Sequence, residues 1–264
     1  MDIILHDNER IDDLEFNGLK IIQSSNGFCF GIDAVLLSDF AKDIRNNSVV
    51  SDLCSGTGII SILLSGKTLA KKIYAVEIQK SVADMASRSV ALNNLCGKID
   101  VVNSDLRKLP DTFISGSFDA IVTNPPYKKC NSGLINDNKE KLISRHEIMC
   151  SLEDVISVSC KLLKSNGSFY MVHRPERLAD IMFLLRKYKL EPKILRFVQP
   201  FACKSANLLL IKAVKNGKSF LKVETPLIVY NDDNSYTDEI LRIYNKIWRW
   251  FYARNFIFSC NSYW

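Results

Sequence analysis

From residue 49 to residue 214, short apolar runs alternate with stretches whose apolar side chains recur at helical spacing. Residues 49–54, 72–77, 100–103, 120–123 and 168–173 read as strands, and 59–64, 80–93, 152–163 and 178–188 as helices. Residues 164–167, Lys-Ser-Asn-Gly, read as a helix stop. Residues 195–199 and 207–214 are the last two strand candidates. A strand followed by a helix must return on the same side of its sheet, so this alternation predicts a doubly wound α/β fold. At 264 residues the chain fits one large domain or two small ones. No internal repeat divides it.

Before that block, the first eighteen residues are acidic, with Asp2, Asp7, Glu9, Asp12, Asp13 and Glu15, and read as a surface wrap or a lead-in strand. Residues 19–31 read as a hairpin turning at Ser25-Asn26-Gly27, because Asn-Gly supplies the positive φ of a tight turn. Asp33 opens a short helix through Ala41. After it all, residues 245–264 hold all three tryptophans and no acid. That tail reads as a terminal helix packed on the domain; a partner or membrane-surface contact, or an extension foreign to the rest, are the alternatives.

Composition excludes several classes. No two of the eight cysteines form a C-x-x-C pair, so neither a zinc ribbon nor a thioredoxin-like site is expected, and no metal. The cysteines fall in apolar runs, as buried free thiols do. No run of 18 apolar residues and no secretory signal is visible, so a cytoplasmic protein without membrane contact is expected. The net charge of +6 permits a polyanionic partner without demanding one.

The chemistry sits at strand ends. Asp52-Leu53-Cys54-Ser55-Gly56-Thr57-Gly58 joins a strand to a helix, where ligands of doubly wound sheets bind. Its glycines let backbone approach a ligand. Ser61 stands where a dinucleotide fingerprint needs its third glycine, which disfavours a pyrophosphate cofactor. Glu77 closes the next strand, where an acid accepts from ribose hydroxyls. Asp105 follows the third and could accept from an exocyclic adenine amine, with Leu106 against the ring. Asn124-Pro125-Pro126-Tyr127 ends the fourth. Its two prolines fix φ and remove two donors, leaving carbonyls and the Asn124 amide oxygen as acceptors beside an aromatic ring. Such a corner suits a planar group bearing an amine, whose two hydrogens it can hold while the lone pair faces an electrophile.

The ordered set DLCSGTG, AVE, NSDL and NPPY resembles class I S-adenosylmethionine-dependent methyltransferases that act on an amino nitrogen. Residues 28–37, Arg145-His146-Glu147, residues 171–178, 226–230 and 236–240 narrow this. They resemble the bacterial tRNA adenine-N6 methyltransferase family that modifies valine tRNA beside the anticodon. The likeness covers about residues 15–244 and stops at the tail; residues 1–244, with 1–32 as lead-in and hairpin, are taken as a single domain, and 245–264 as the tail. It implies a Rossmann-like, seven-stranded, mostly parallel sheet whose last strand is antiparallel. It also implies S-adenosylmethionine as cofactor. Asp52 and Gly56 would lie by its methionine part, Cys54 and Gly58 of the same turn would also bind it, Glu77 would lie at the ribose, and Asp105 with Leu106 at the adenine. Asn124 would position the target amine beside the cofactor, with Pro125 and Pro126, and Tyr127 would stack on the target base. Asp33 either reaches the methionine amino group or caps the helix it opens.

The expected partner is tRNA; the sequence fixes no oligomeric state, a monomer being favoured. Residues 128–146 form a polar stretch with Lys128, Lys129, Lys139, Lys141 and Arg145, long enough to be functional. Residues 173–196 carry Arg174, Arg177, Arg186, Lys187, Lys189, Lys193 and Arg196 against Glu176, Asp180 and Glu191. Of these, Lys128, Lys129, Arg145, Arg174 and Arg177 are the RNA-binding candidates. Three rival readings stay open: a protein glutamine-N5 methyltransferase, a guanine-N2 rRNA methyltransferase, and a non-catalytic RNA-binding module.

Overall fold

The computed structural model describes residues 4–25, 31–127 and 150–246. The expected alternation is present: β3 (Val49–Leu53), α2 (Ile59–Lys67), β4 (Lys72–Glu77), α3 (Lys80–Leu92), β5 (Ile99–Asn103), α4 (Leu109–Thr112) and β6 (Phe118–Thr123). After 150 follow α5 (Leu152–Leu162), β7 (Leu163–His173), α6 (Leu178–Lys187), β8 (Leu190–Gln199) and β9 (Leu208–Lys215). Ahead of these stand β1 (Glu9–Asp13), β2 (Lys20–Ser24) and α1 (Ile32–Phe40). Two-residue strands β10 (Lys222–Val223) and β11 (Leu227–Ile228) and the helix α7 (Asp238–Ile243) close the described chain.

The main sheet runs β10-β8-β9-β7-β6-β3-β4-β5, with β11 also on β8. All pairings are parallel except those of β9, which is antiparallel to β7 and β8. The seven longer strands match the implied sheet, its last strand reversed; β10 and β11 add short pairings on β8. Along β7 the two faces separate with period two: Tyr170 and Val172 join the core under α1 and α2, Phe169 and Met171 the core under α5 and α6. A strand covered on both faces has no polar side, which is why residues 169–172 read as an unbroken apolar run.

Two expectations are corrected, and the N-terminal hairpin is placed. The turn expected at Ser25-Asn26-Gly27 falls on residues 26–30, which lie outside the described ones. The hairpin pairs β1 with β2, Glu9 facing Ser24 and Asp13 facing Lys20. The turn uses another Asn-Gly pair: Asn17 and Gly18 have φ of 52° and 70°, and Leu19 N donates to Phe16 O at 3.0 Å. Charge hid β1, whose Glu9 accepts both Arg88 terminal nitrogens at 2.6 and 2.7 Å and is thereby held down to about 2. Next, residues 164–167 do not stop a helix but belong to β7. Asn166 sits at φ 61° and the register against β6 slips between Phe118 and Ala120, a bulge that absorbs the turn-forming residues. Finally, the described cysteines are not buried: Cys96 and Cys203 are exposed, and Cys54, Cys150 and Cys160 half-buried.

Candidate functional site

Because β3, β4, β5, β6 and β7 are parallel, their carboxyl ends share one edge, and so do the turns that leave them. In the turn after β3, Cys54 and Gly56 have φ of 60° and 57°, and Gly58 reaches 85° as the residue before α2. A Cβ on Gly58 would meet Ala86 Cβ of α3 at 3.3 Å, so glycine is needed for both the angle and the helix contact. A Cβ on Gly56 would meet nothing within 4 Å: open space lies over that backbone.

Glu77 folds back on this turn. Its Oε2 accepts from Gly56 N at 3.0 Å, and its Oε1 from Gln79 N at 2.9 Å and, at 3.5 Å, from Gln79 Nε2. Oε2 keeps a second lone pair for a hydroxyl donor. An open cleft of about 390 Å³ lies beside it, lined among others by Cys54, Glu77, Asp105, Leu106 and Pro126. These candidates from four separate strand ends share one wall, whereas Asp52, Gly56, Gly58, Asp33 and Asn124 do not line it. Leu106 gives an apolar side. Asp105 is bound on both oxygens by the Arg107 guanidinium, at 2.5 to 3.0 Å, and Arg107 holds its carboxyl below the ordinary range. Cys54 faces Cys150 over the cleft, and that thiol contact together with burial pushes Cys54 up.

Asp52 is fully buried. Its Oδ2 accepts from Ser61 N at 3.1 Å and Ser61 Oγ at 2.8 Å, while Oδ1 has no partner. Burial pushes its pKa to about 7, against the Ser61 hydrogen bonds that lower it. Ser61, where the fingerprint glycine is absent, thus anchors Asp52 instead.

The corner after β6 is a closed network. Asn124 Nδ2 donates to Asp33 Oδ2 at 3.1 Å. The Tyr127 hydroxyl lies 2.8 Å from Asp33 Oδ2 and 2.5 Å from Asn124 Oδ1, and its single proton is shared between them. Burial and then Asp33 raise the Tyr127 pKa far above its ordinary value, so it stays a neutral donor. Asp33 does not cap α1: the N-cap is Gly31, with no side-chain bond, and Asp33 sits one residue into the helix. Instead α1 presents a buried carboxylate to the corner. A donor set of Asn124 Nδ2 on Asp33 fixes the amide so that its oxygen cannot flip away from Tyr127.

Two described residues stand against the Tyr127 ring: Arg174, an RNA-binding candidate from the sequence, and His173, which the sequence did not single out. His173 meets the Tyr127 ring edge-on at 5.1 Å between centroids, and the Arg174 guanidinium lies 5.2 Å over its face. His173 is buried, which with Arg177 lowers its pKa to about 4, and its Nδ1 accepts from Arg174 N at 2.8 Å. The signal was available: both residues end β7, next to β6. Arg174 also donates to Asn207 O at 3.0 Å. Arg177 is turned to Asp180 at 2.9 Å. The other cations of 173–196 disperse: Lys187, at the end of α6, pairs with Glu153 in the first turn of α5 at 2.7 Å. Arg196 pairs with Glu239. Lys128, Lys129 and Arg145 lie outside the described residues. Among the described residues no cluster fit to hold a metal occurs, and no helix is long and apolar enough to cross a membrane.

Comparison with known proteins adds the lineage. The methyltransferase small domain family matches residues 19–187. A Parabacteroides distasonis tRNA1(Val) (adenine(37)-N6)-methyltransferase is 30% identical over 183 residues, 69% of this chain and 75% of that protein. The Bacteroides fragilis protein of that name is 26% identical over 226 residues, 85% and 90% of the two chains. In fold, the chain resembles an Agrobacterium tumefaciens predicted O-methyltransferase (TM-score 0.65, 20% identity, 81% of this chain and 96% of that one). It also resembles the M. jannaschii tRNA m1G37 methyltransferase (TM-score 0.56, 19% identity, 80% and 58%). The chain belongs to the methyltransferase small domain family and, within it, to the tRNA1(Val) (adenine(37)-N6)-methyltransferases.

Proposed function

We propose that this protein transfers the methyl group of S-adenosylmethionine to the exocyclic N6 of an adenine in tRNA, in the anticodon loop of valine tRNA. The observation that carries the reading is the Asn124–Tyr127 corner, held by Asp33, with Pro126 forming part of the cofactor cleft. The relatives' names favour adenine over guanine and over a protein glutamine.

The residues fit the cofactor: Glu77 Oε2 keeps a lone pair for a ribose hydroxyl, Leu106 walls a purine, and open space lies over Gly56. Asp105 stands on the same wall, where a purine amine would compete with the backbone N and guanidinium of Arg107 for its oxygens. Asp52 acts from behind: it ties the turn to α2 through Ser61. S-Adenosylmethionine supplies a methyl on a positive sulfur that needs no further activation.

The target amine binds Asn124 Oδ1 and a Pro125 or Pro126 carbonyl through its two hydrogens, which takes its lone pair out of conjugation with the ring and points it at the electrophile. Asn124 donates to Asp33, so the amide is polarised and its oxygen becomes a better acceptor as the amine turns positive. Tyr127 has its hydroxyl committed to Asp33 and Asn124, so its ring holds one orientation for the base. No strong base is required; alignment does most of the work. The adenine must leave its stack, which is cheapest in a loop. Arg174 is the described cation beside the corner, and Lys128, Lys129 and Arg145 follow the corner in sequence. The protein acts in the cytoplasm as a single-domain monomer over residues 1–244, with no metal.

The test is methyl transfer to unmodified valine tRNA, rRNA and a peptide release factor side by side. N6-methyladenosine in the tRNA digest is expected. N2-methylguanosine or methylglutamine as the main product overturns the reading.

A further inference from the structure

A second aromatic group stands at the same sheet edge and takes no part in the corner. Four rings form a column: Phe201 and Tyr230 lie 5.5 Å apart, Tyr230 and Tyr236 5.3 Å, Tyr236 and Tyr244 5.9 Å. The last three are nearly parallel, at 15° and 22°. Tyr230, Tyr236 and Tyr244 rest against the core under α1, but Phe201 does not. It is half-buried, and Tyr230 is the one ring against it among the described residues.

The fold holds the column in place from behind. Tyr230 N donates to Pro200 O at 2.9 Å and Val229 N to Gln199 O at 2.9 Å, so β11 fixes Tyr230 beside the end of β8. Tyr230 and Tyr236 face each other across an antiparallel bridge. β8 runs parallel to β7 and β6, because β9 reverses between them. Its end therefore lies on the edge that carries Asn124, three strand spacings or about 14 Å away. The gap is bridged: Arg174 covers Tyr127, donates to Asn207 O at 3.0 Å, and Asn207 N donates to Val198 O at 3.0 Å.

We propose that Phe201 is a stacking platform for an unpaired base of the substrate RNA near the target adenine, the tyrosine column setting the ring's angle. The inference rests on the tRNA reading above. A loop that gives up one adenine has unpaired neighbours, and single-stranded RNA is read by stacking such bases on aromatic rings. Tyr230 backs one face of the Phe201 ring at a tilt of 34°, and a flat group laid on the other face would extend the column by one. The charges nearby are mixed. Lys204 is exposed in the turn after Phe201, and Lys246 lies over Tyr244 at 5.5 Å, but Asp232 and Asp233 are exposed between Tyr230 and Tyr236. Stacking, which needs no phosphate contact, fits such a mixed surface better than backbone binding does.

The test is a cycle with the full chain and a valine tRNA anticodon stem-loop in which one abasic nucleotide is moved through the loop. With wild-type protein, one position beside the target should raise KM for RNA by about 5- to 150-fold, the effect of a lost base stack. Phe201→Ala should raise KM on intact RNA by a similar factor and make that abasic position cost nothing more. Phe201→Trp should restore KM. S-Adenosylmethionine affinity should stay at the wild-type value in both variants, which also shows that they fold. Equal abasic penalties in wild type and Phe201→Ala overturn the proposal, and so does a Phe201→Ala variant of lowered Tm and unchanged KM, where the ring only packs the chain. Failure of the wild-type protein to methylate the RNA overturns the tRNA reading itself.

Discussion

Replacing Asp33 separates two roles that its position allows. Its Oδ2 is one amide group away from Asn124 Oδ1, the atom that would hold the target amine. An amine bound there lies roughly 7 Å from the carboxylate, and one charge at that distance and an effective dielectric of about 20 contributes about 2.4 kcal/mol. As the nitrogen becomes positive, that is about 50-fold in rate. Asp33→Asn keeps the shape and one acceptor but removes the charge, so turnover should fall by about 10- to 50-fold. Asp33→Ala also releases Asn124 Nδ2, whose amide then hangs on the 2.5 Å contact to Tyr127 alone, and the loss should reach about 100-fold or more. Single-turnover methyl transfer reads the rate, and calorimetry with S-adenosylmethionine reads cofactor affinity. Turnover of Asp33→Asn within twofold of wild type refutes the electrostatic argument. Weakened cofactor affinity with turnover intact at saturation means that Asp33 reaches the methionine amino group instead.

Glu77→Gln should weaken S-adenosylmethionine binding by about 10- to 150-fold, the range of a hydrogen bond to a charged group, as measured by calorimetry; Glu77→Ala should also lower Tm, because Gly56 N loses its acceptor. Gly58→Ala should cost about 1–3 kcal/mol in urea unfolding, since φ of 85° and a 3.3 Å approach to Ala86 act together. Asp52 titrates at about 7 when folded against an ordinary 3.8, so the folded state holds the extra proton between these values and its contribution to stability is lost as pH rises from 4 to 7. The wild type minus Asp52→Asn difference in unfolding free energy should therefore fall over that window, by up to about 4 kcal/mol, and a flat difference refutes the burial argument.

What was legible in the sequence was what backbone geometry demands. Gly56, Gly58, Pro125 and Pro126 announce strand ends because few other residues tolerate those turns, and Glu77 and Asp105 follow from their place after strands. β1 was legible only as one of two readings, a surface wrap or a lead-in strand, since Glu9-Arg10-Ile11-Asp12-Asp13 lacks an apolar face and is stabilised instead by Arg88 from α3. β8 starts at Leu190, five residues earlier than its apolar run, because a register slip between Pro192 and Ile194 accommodates a proline that strands otherwise reject. The role of Asp33 was ambiguous for a different reason. Spacing tells that it opens a helix, but only packing brings it to a residue 91 positions later. The tyrosine column was likewise invisible, because Tyr230, Tyr236 and Tyr244 belong to no single periodic element.

The order of the strands explains why these groups meet. The chain lays β3, β4 and β5 outward on one side, then returns to place β6 on the other side of β3. The turns after β3 and β6 therefore diverge, and the crevice between them is where a doubly wound sheet binds ligands. Glu77 and Asp105 lie on the outward side, His173, Arg174 and Phe201 on the returning side. Asn124–Tyr127 is the first turn past the reversal and touches both: Pro126 walls the cleft, and Tyr127 packs on His173. A methyl donor held on one side and a base presented from the other can approach along a line only at that corner. Moving the NPPY turn to β7 would leave the same residues about 5 Å further from the cleft, too far for one side chain to serve both.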